Sequence, residues 1–429
     1  MKNIYLSYLK NFEHLSLLIC LLLSTFTFSQ NTINIPLDAT NLSDAVQMAQ
    51  AGDTIFLSAG TYTDSVHINN KNLVIKGELN GSSILSPGEK KSFVVLNSTV
   101  EFYNLTFNDF QLNTPPPNIG IDASYSEVKI SKCHFINMNA SILTLWTTLE
   151  INNSIMDNIR GKCILHHGGN FLIYNNLIHH PSYSPVSMTR ANGQFFNNTL
   201  IGSTPNQYRG IVINPDTISH IYNNIISNFG IGIQLIASDS SEFHAPHIYN
   251  NNIYNMAAPY WYEYNESLSL PIYSGALTPN PGTGEISSPA LFADTLNGDY
   301  TLLPNSPGID EGIDAYTFNL NYDLDGNNRV IGSSPDIGAY EFNPFLNTLE
   351  QVNTLHALYP NPTANLVVLQ FTSPLKGKLQ IYDATGKQIE ELNVKNKEKI
   401  EVKLPHQKGL YILKLNSNKG TEIYRVIKQ

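Results

Sequence analysis

A six-residue pattern with asparagine at its third position recurs through the middle of the chain and restricts its fold more than any other feature. Its form is apolar, any residue, Asn, two further residues, apolar, as in FYNLTF, INNSIM, IYNNLI, FFNNTL, IYNNII and IYNNNI; ISKCHF is a degenerate copy with Lys in place of Asn. Neighbouring copies are 21 to 28 residues apart. A unit this short buries its apolar side chains only by stacking on its neighbours, so the pattern predicts a solenoid. The third positions are Asn104, Lys132, Asn153, Asn175, Asn197, Asn223 and Asn250.

The residues between the copies indicate the type of solenoid. They form short β-branched or aromatic runs, such as those at 210–213 and 219–226, with no ten consecutive residues of helical periodicity. The Leu-x-x-Leu-x-Leu frame of a leucine-rich repeat is missing from the sequence. We therefore expect an all-β chain that forms a right-handed parallel β-helix, with about 22 residues per coil and coils stacked at about 4.8 Å.

The repeat also explains the excess of asparagine, which accounts for 51 of the 429 residues. Asn tolerates left-handed backbone angles at turns. Its side-chain amide can also hydrogen-bond to the equivalent Asn one coil away, which would form a ladder. We expect Asn153, Asn175, Asn197 and Asn223 to form one column whose role is structural rather than catalytic.

Both ends of the solenoid carry recognisable segments. Residues 42–51 have one apolar stripe, with Asn41 or Ser43 as N-cap and Gly52 as the stop, which predicts a capping helix. The GDTI that follows, with GTY soon after it, resembles the start of secreted β-helix polysaccharide lyases of the chondroitinase B and alginate lyase type. Residues 299–342 contain SPGID-x-G, D-x-DGNNR and PDIGAYEF, and resemble the terminal segment of bacterial surface proteins with parallel β-helix repeats, the choice-of-anchor Q group.

Charge and apolar runs divide the chain. Residues 1–29 have two lysines before a short apolar run and are predicted to be a signal peptide. Residues 30–349 hold 11 Lys+Arg against 27 Asp+Glu, whereas residues 350–429 hold 12 against 7, so the net charge changes from −16 to +5. We predict a β-helix domain with its caps at 30–342, a linker at 343–357 and a second domain at 358–429.

The last 72 residues form alternating apolar and polar runs separated by Gly, Asn and Pro turns, which predicts a small antiparallel β-sandwich. The tail also contains YPNP at 359–362, a turn at 383–386, GLY at 409–411 and RVIK at 425–428. In these elements it resembles the type A C-terminal sorting domain of the type IX secretion system. That resemblance implies the type IX secretion machinery as a partner, and a protein released or held at the outer-membrane cell surface.

Composition excludes several classes of protein. The net charge of −10 argues against a general nucleic-acid binder. Only Cys133 and Cys163 follow the predicted signal peptide, so the chain is not a disulfide scaffold. No later segment has 18 continuous apolar residues, so we expect no transmembrane segment in the mature protein.

One stretch of the acidic body has the charge that binding of an acidic polysaccharide requires. Residues 158–215 contain no Asp or Glu but include Lys162, His166, Arg190 and Arg209. Counted back from the Asn column, His166, Met188 and Asn214 are in line, and so are Arg190 and Asp216; these cations could therefore lie on neighbouring coils. The two arginines could bind a uronate carboxylate through paired hydrogen bonds. Lys162 or His166 could then accept a proton in β-elimination.

Other interpretations of these residues remain open. Arg190 and Asp216 could form a structural ion pair, and the histidines could be solvated turn residues. The chain is then either an exported surface protein that binds, or binds and cleaves, an acidic polysaccharide, or a non-catalytic module for adhesion or structure. The aromatic segment 259–264 could stack on sugars or cover the last coil.

A calcium site is the one cofactor that the sequence suggests. Asp323, Asp325 and Asn327 have the alternating oxygen spacing of a Ca²⁺ loop, but the glycine and the twelfth residue depart from that motif. The alternative is a capping turn in which Arg329 pairs with an acid.

Overall fold

The computed structural model describes residues 30–79, 81–88, 91–108, 118–205, 207–214, 219–237, 246–265, 272–275, 284–313, 320–344, 355–383, 387–405, 407–417 and 420–429. The predicted signal peptide and Asp216 lie outside the described residues. The chain divides into two compact units on either side of the bond between Phe342 and Asn343. None of the described helices is long and apolar enough to cross a bilayer.

The first unit is the predicted right-handed parallel β-helix, with three strand-bearing faces that we call A, B and C. In each face, every strand pairs in parallel with the strand one coil away. Two long strands, β16 (Ile164–Tyr174) and β18 (Val186–Phe196), bend and contribute to both A and B. Face A also contains β4 (Val66–Asn69), β7 (Phe93–Leu96), β10 (Ile119–Ser124), β13 (Ala140–Leu145), β20 (Arg209–Asn214), β23 (Ile231–Ala237) and β26 (Ala258–Asn265).

The two remaining faces are built from shorter strands. Face B also contains β1 (Thr32–Ile35), β2 (Thr54–Leu57), β5 (Leu73–Gly77), β8 (Thr99–Tyr103), β11 (Glu127–Ser131), β14 (Thr148–Asn152), β21 (Ser219–Tyr222) and β24 (His247–Tyr249). Face C contains β3 (Gly60–Tyr62), β6 (Ser83–Leu85), β9 (Thr106–Asn108), β12 (His134–Ile136), β15 (Ile155–Asp157), β17 (Leu177–His179), β19 (Thr199–Ile201), β22 (Ile225–Ser227) and β25 (Asn252–Tyr254). Two antiparallel pairs complete the unit: β27 (Ile272–Gly275) on β26, and β28 (Phe292–Asp294) on β29 (Asp299–Leu302).

The turn from face B to face C is made by the predicted asparagine column. All seven third positions of the repeat have left-handed backbones, with φ between 47° and 55°. The residues just before them, such as Asn152, Tyr174 and Phe196, pair across neighbouring coils, so the seven positions lie in register. The prediction that these residues form one column at a turn is confirmed. The turns from A to B and from C to A use left-handed residues as well, including Asn97, Tyr125, Trp146 and Arg190 at the first and Asn137, Asn158, His180, Asn228 and Asn255 at the second.

The strongest amide ladder is formed by the residues that follow the last four turn asparagines, a position that the sequence pattern did not single out. In the predicted column, Asn175 reaches Asn153 only at 3.4 Å. One position later, the buried side chains of Asn176, Asn198, Asn224 and Asn251 form a continuous series, with amide-to-amide distances of 2.9 to 3.1 Å. The Oε1 atom of Glu285 accepts from Asn251 at 3.0 Å and terminates the ladder.

The first two positions of the repeat point to opposite sides of the coil. The apolar residue that opens each copy points inward and forms the main core, for example Ile151, Ile173 and Ile221. The second position points outward, and its aromatic rings stack from coil to coil at centroid distances of 4.9 to 5.2 Å. The stacked rings are those of Tyr174, Phe196, Tyr222 and Tyr249.

The described residues include a single short helix, α1 (Leu42–Met48), which covers the first coils. Of the two predicted N-caps it is Asn41 that takes this role and accepts a hydrogen bond from the backbone N–H of Asp44 at 2.8 Å, and the helix ends at Met48, before the predicted stop at Gly52. Its apolar stripe is buried in the main core. The Nζ atom of Lys71 donates to the carbonyls of Val46 and Ala49, both at 2.8 Å, and so satisfies acceptors at the helix end.

The segment after the last coil lies along the flank of the solenoid rather than only at its end. We call the described part of 311–342 the cover segment. It crosses four successive turns from face B to face C, and Gly338 approaches so closely that a Cβ there would lie 2.6 Å from Ile225 Cδ1. The turn asparagines donate to its carbonyls: Asn250 to Glu311 (2.9 Å), Asn223 to Ile313 (3.0 Å), Asn197 to Asp336 (3.1 Å) and Asn175 to Tyr322 (2.7 Å).

The second unit is a five-stranded antiparallel sheet. Its strands are β30 (Leu355–Tyr359), β31 (Leu366–Asp383), β32 (Gln388–Lys403), β33 (Gly409–Ser417) and β34 (Gly420–Lys428). The strand β32 pairs with both halves of β31, whose other edge pairs with β30 in its first half and with β33 in its second; Val367, Leu369, Leu379 and Leu413 share one buried core. The two strand runs predicted for this region, 367–371 and 378–382, are therefore parts of one long strand.

One histidine of the strand-rich body is part of the interior. The side chain of His166 is fully buried, and its Nδ1 atom lies 2.7 Å from the hydroxyl of Thr144. Burial, with a smaller contribution from His167, lowers the pKa of His166 to about 4. The folded protein therefore binds this proton less readily than the unfolded chain, whose histidine titrates near the ordinary value of 6.5.

We predict that replacing Asn198 with Ala lowers the free energy of unfolding by about 3 kcal/mol or more, because each buried group left unpaired costs about 1–3 kcal/mol. The groups that lose a partner include the carbonyls of Ile173 and Phe196. Chemical denaturation measures this. The exposed Asn192, on the strand β18 that precedes Asn198, is the control, and its replacement by Ala should cost less than about 0.5 kcal/mol. Equal losses would contradict the ladder.

We also predict that His166 makes the fold sensitive to acid. Because its pKa is lowered on folding, its contribution is complete above pH 6.5 and is lost as the pH falls towards 4, by about 2–3 kcal/mol. The double variant His166→Leu with Thr144→Val removes both polar partners. Denaturation curves at pH 7 and pH 4.5 should show a smaller loss in this variant than in the wild type; an unchanged loss would contradict the assignment.

Candidate functional site

Two of the predicted cationic residues, Lys162 and Arg209, lie near each other at one edge of face A. Lys162 and Arg209 occupy the same column two coils apart, with Ser184 between them. Two tyrosines from the adjacent turn, Tyr183 and Tyr208, lie beside them with ring centroids 5.2 Å apart and side chains 46% and 38% exposed. We call these four residues, Lys162, Tyr183, Tyr208 and Arg209, the cationic edge.

The cationic edge is held in place from within the protein. The Nζ atom of Lys162 lies 5.0 Å from the centroid of the Tyr183 ring, a cation–π contact. The Nε atom of Arg209 donates to the buried amide oxygen of Gln234 at 2.8 Å. Burial, and then the charge of Arg209, lower the pKa of Lys162. None of the ion pairs among the described residues involves Lys162 or Arg209.

Arg190 lies at the opposite edge of the same face, at the turn from A to B. Six residues of nearly extended strand separate its position from that of Ser184, which corresponds to about 20 Å. Its backbone is left-handed, with φ of 52°, and its side chain is exposed. One carboxylate therefore cannot contact both Arg190 and Arg209.

His166 does not reach either edge. Its column alternates with the outward column of Leu165 and Ser187, and its ring packs edge-on against Phe171 at 5.9 Å inside the solenoid. The hypothesis that His166 accepts a proton from a bound glycan disagrees with this burial, because a substrate on the outer surface cannot contact it. Alternate residues of a strand point to opposite sides of the sheet, and this alternation places His166 inside the solenoid. Counting residues back from the asparagine column did not take the alternation into account.

The residues suggested for calcium form a turn within the cover segment. The carboxylate of Asp323 is buried and accepts from the backbone N–H of Asn327 at 2.7 Å and of Glu341 at 2.8 Å. The side-chain amide of Asn327 also donates to Asp323, at 3.1 Å. Burial, and then the charge of Asp323, raise the pKa of Asp325. The hydrogen bonds give Asp323 and Asn327 a structural role without a cation.

Arg329 pairs with an acidic residue, as expected if this segment is a capping turn rather than a calcium site. Its guanidinium is almost completely buried and pairs with Glu341, Nε to Oε1 at 3.1 Å. It also donates to the carbonyls of Asp336 and Gly338 at 2.6 and 2.8 Å. Because Asp336 and Gly338 contact the turn asparagines as well, Arg329 joins the cover segment to the solenoid.

The cover segment leaves an open cleft where it passes over the middle coils. This cleft has a volume of about 560 Å³, and Asp323, Asp325, Lys132 and His134 are among the residues that line it. The Nε2 atom of His134 is buried and has no described partner. In the aromatic segment 259–264, Tyr260 points into the core and donates its hydroxyl to Glu285, which favours covering of the last coil.

One group of side chains among the described residues has the composition of a metal centre. Asp157, His179 and His180 place one carboxylate oxygen and two imidazole nitrogens within 4.8 Å of one another. In the sequence, the two histidines stand out only as part of the cationic stretch. The pairing of Asp157 with His179 across one coil is the tertiary contact that brings the carboxylate to them.

The tail carries its characteristic residues in defined structural positions. The side chain of Asn361, in the YPNP element, donates to the carbonyl of Arg425 and accepts from the N–H of Ile427, both at 2.9 Å. Lys428 is buried, and its Nζ atom donates to Asn365 at 3.2 Å and to the carbonyl of Leu404 at 3.3 Å. The first and last motifs of the tail therefore hold each other in place.

Comparison with solved structures finds similar proteins at low identity. The chain is similar to the PL6 family alginate lyase AlyGC at 11% identity and a TM-score of 0.37, over 62% of this chain and 40% of that chain. A mutant pectin methylesterase in complex with hexasaccharide IV matches at 10% identity and a TM-score of 0.28, over 63% of this chain and 92% of the other. The tailspike protein of Acinetobacter phage vB_ApiP_P1 matches at 10% identity and a TM-score of 0.39, over 94% and 79%. This chain thus spans 40% of the length of the alginate lyase.

Sequence comparison identifies the tail but not the body. No curated protein shows a significant match to the chain. Residues 357–429 match the family described as the secretion system C-terminal sorting domain. The resemblance seen in the sequence of the tail is confirmed: the chain carries a C-terminal sorting domain of the type IX secretion system, which directs export to the cell surface or beyond it, behind a parallel β-helix.

Proposed function

We propose that this exported β-helix protein binds an acidic polysaccharide at the cationic edge. The observation that supports this most is the pair of exposed tyrosine rings, 5.2 Å apart, beside Lys162 and Arg209. Aromatic rings contribute apolar area for the faces of sugar rings. A guanidinium and an ammonium contribute charge-assisted hydrogen bonds for carboxylates.

The charge distribution supports an acidic rather than a neutral ligand. Residues 30–349 carry a net charge of −16, which repels a polyanion overall, whereas residues 158–215 contain no acid. Binding must therefore be local, and it must depend on the two cations of the edge. Because they are two coils apart, about 10 Å, they can contact two different carboxylates of one polymer.

Glycan cleavage is a second candidate function, and one property of Lys162 favours it. Burial and the nearby Arg209 lower the pKa of this lysine, which increases the fraction of neutral amine available to accept a proton. Arg209 would then neutralise the carboxylate of the same uronate. The β-elimination product contains a conjugated double bond, so ultraviolet absorbance of a mixture of protein and polyuronate distinguishes cleavage from binding.

The alternative is a non-catalytic module for adhesion or structure. The stacked coils and the cover segment would support that role without any ligand at the cationic edge. Binding of a polyuronate that does not depend on Lys162 or Arg209, or no binding at all, would favour this alternative.

We predict that Arg209→Gln lowers the affinity of the purified protein for pectate or alginate by at least about tenfold, because a charge-assisted pair is lost. Arg190→Gln removes the same charge from the other edge of face A and is the matched control, with an expected change of less than about twofold. Binding to immobilised polymer can be measured for both variants. The wild-type affinity should also fall between 0.1 and 1 M salt, since the Debye length shortens from about 10 to about 3 Å.

Two outcomes would contradict this proposal. One is an equal effect of the Arg190 and Arg209 substitutions, which would indicate a general charge effect rather than a site. The other is equally tight binding to a neutral polysaccharide that persists at high salt, which would point to the aromatic residues alone.

We predict that removing residues 358–429 stops export at the outer membrane and leaves the body in the periplasm. The tail carries the sorting domain, whereas the predicted signal peptide at 1–29 remains. Cell fractionation with an antibody to the body measures this, and the thermal unfolding of the truncated body controls for misfolding. Normal amounts of a folded, truncated protein in the medium would contradict the assignment.

A further inference from the structure

The turn from face C to face A brings together three side chains that the proposed glycan site does not use. Asp157 ends β15 and pairs across one coil with His179, which ends β17. His180 follows with a left-handed backbone, φ of 50°. Successive side chains of an extended strand point to opposite sides, so it is this turn that aims both imidazole rings at Asp157.

The three atoms that face one another form a nearly equilateral triangle. His179 Nδ1 lies 3.0 Å from His180 Nδ1, His180 Nδ1 lies 3.1 Å from Asp157 Oδ1, and His179 Nδ1 lies 3.5 Å from the same oxygen. Tetrahedral zinc with bonds of about 2.0–2.1 Å separates its ligand atoms by about 3.3 Å. A point at bonding distance from all three atoms therefore exists beside their plane.

We propose that Asp157, His179 and His180 bind a divalent transition-metal ion of the zinc type. Two imidazole nitrogens with one carboxylate oxygen are ligands for zinc and its neighbours, whereas calcium takes oxygen ligands. The site is distinct from the Asp323 turn, whose oxygens are occupied by backbone donors. It also shares no residue with the cationic edge.

The three proposed ligands differ in solvent exposure, and this difference would leave a bound metal ion accessible from one side. His179 is 10% exposed, Asp157 23% and His180 53%, so one side of the triangle opens to solvent. A water molecule can then complete the tetrahedron. The buried ring of Tyr300 lies 5.2 Å from the ring of His179 and restricts the movement of that histidine.

Without a metal, the same three side chains can form only a hydrogen-bonded network. The space between the two Nδ1 atoms has room for one proton, because two N–H groups pointing at each other would repel. A proton-bridged network and a metal-bridged site predict different responses to metal ions, so they can be separated experimentally.

The test is titration of the purified full chain with Zn²⁺ by calorimetry, and with Co²⁺ by visible absorption, which reports tetrahedral coordination. We expect one ion per chain at this site. His180→Asn should lower the affinity by at least about tenfold and remove the cobalt bands. Asn is compatible with the fold here because Asn158 and Asn228 hold the same turn on other coils with φ of 52° and 63°. His67→Asn, which removes an exposed imidazole elsewhere, is the matched control and should change nothing.

A second ligand variant guards against an indirect effect of the turn. Asp157→Asn removes the charged oxygen without touching the turn residue and should also weaken binding at least about tenfold. No uptake of Zn²⁺ or Co²⁺ by the wild type would overturn the proposal in favour of the hydrogen-bonded network. Uptake that survives both substitutions but is lost with His247→Asn would overturn it in favour of the stacked pair His220 and His247, whose rings are 4.8 Å apart.

Discussion

The body depends on pairs of consecutive asparagines at four successive turns between faces B and C, at 175–176, 197–198, 223–224 and 250–251. The first takes the left-handed conformation, which turns the chain without the steric cost that most residues would bear. The second points inward, where Asn198 accepts from Asn176 and donates to Asn224 and to the carbonyls of Ile173 and Phe196. Each turn thereby satisfies polar groups that would otherwise be buried without partners, and it fixes the register of the next coil.

The same turns also organise the outside of the solenoid. The side chain of the first asparagine faces outward, and at Asn175, Asn197, Asn223 and Asn250 it donates to the cover segment. Within the cover segment, Arg329 and Glu341 form a buried ion pair that holds two parts of the segment together. A buried pair of this kind costs solvation, and its additional hydrogen bonds to backbone carbonyls compensate for part of that cost. The turn therefore stabilises both the inner core and the layer that covers it.

The two proposed sites lie at positions that the repeat leaves free. The cationic edge lies at the start of face A, and the Asp157, His179 and His180 group lies at the end of face C, so both use side chains next to turns. Strand stacking places residues from distant coils at fixed spacings, and this brings Lys162 to Tyr183 and Asp157 to His179. Such sites need a rigid backbone beneath them, which the stacked coils provide.

Local residue preferences were enough to predict the period, the left-handed asparagine column and a capping helix that begins after Asn41 or Ser43, and a long specific match identified the tail. Tertiary structure alone decided which side of a coil each side chain occupies. Counting from the asparagine column aligned Asn214 with Met188, but the structure pairs it with Thr189, since coils differ in length. The same limit applies to His166, which strand parity places in the core, and to Arg190, which lies at the opposite edge of face A from Arg209. A repeat specifies the coil on which a residue lies, whereas its face and its partners depend on contacts between coils.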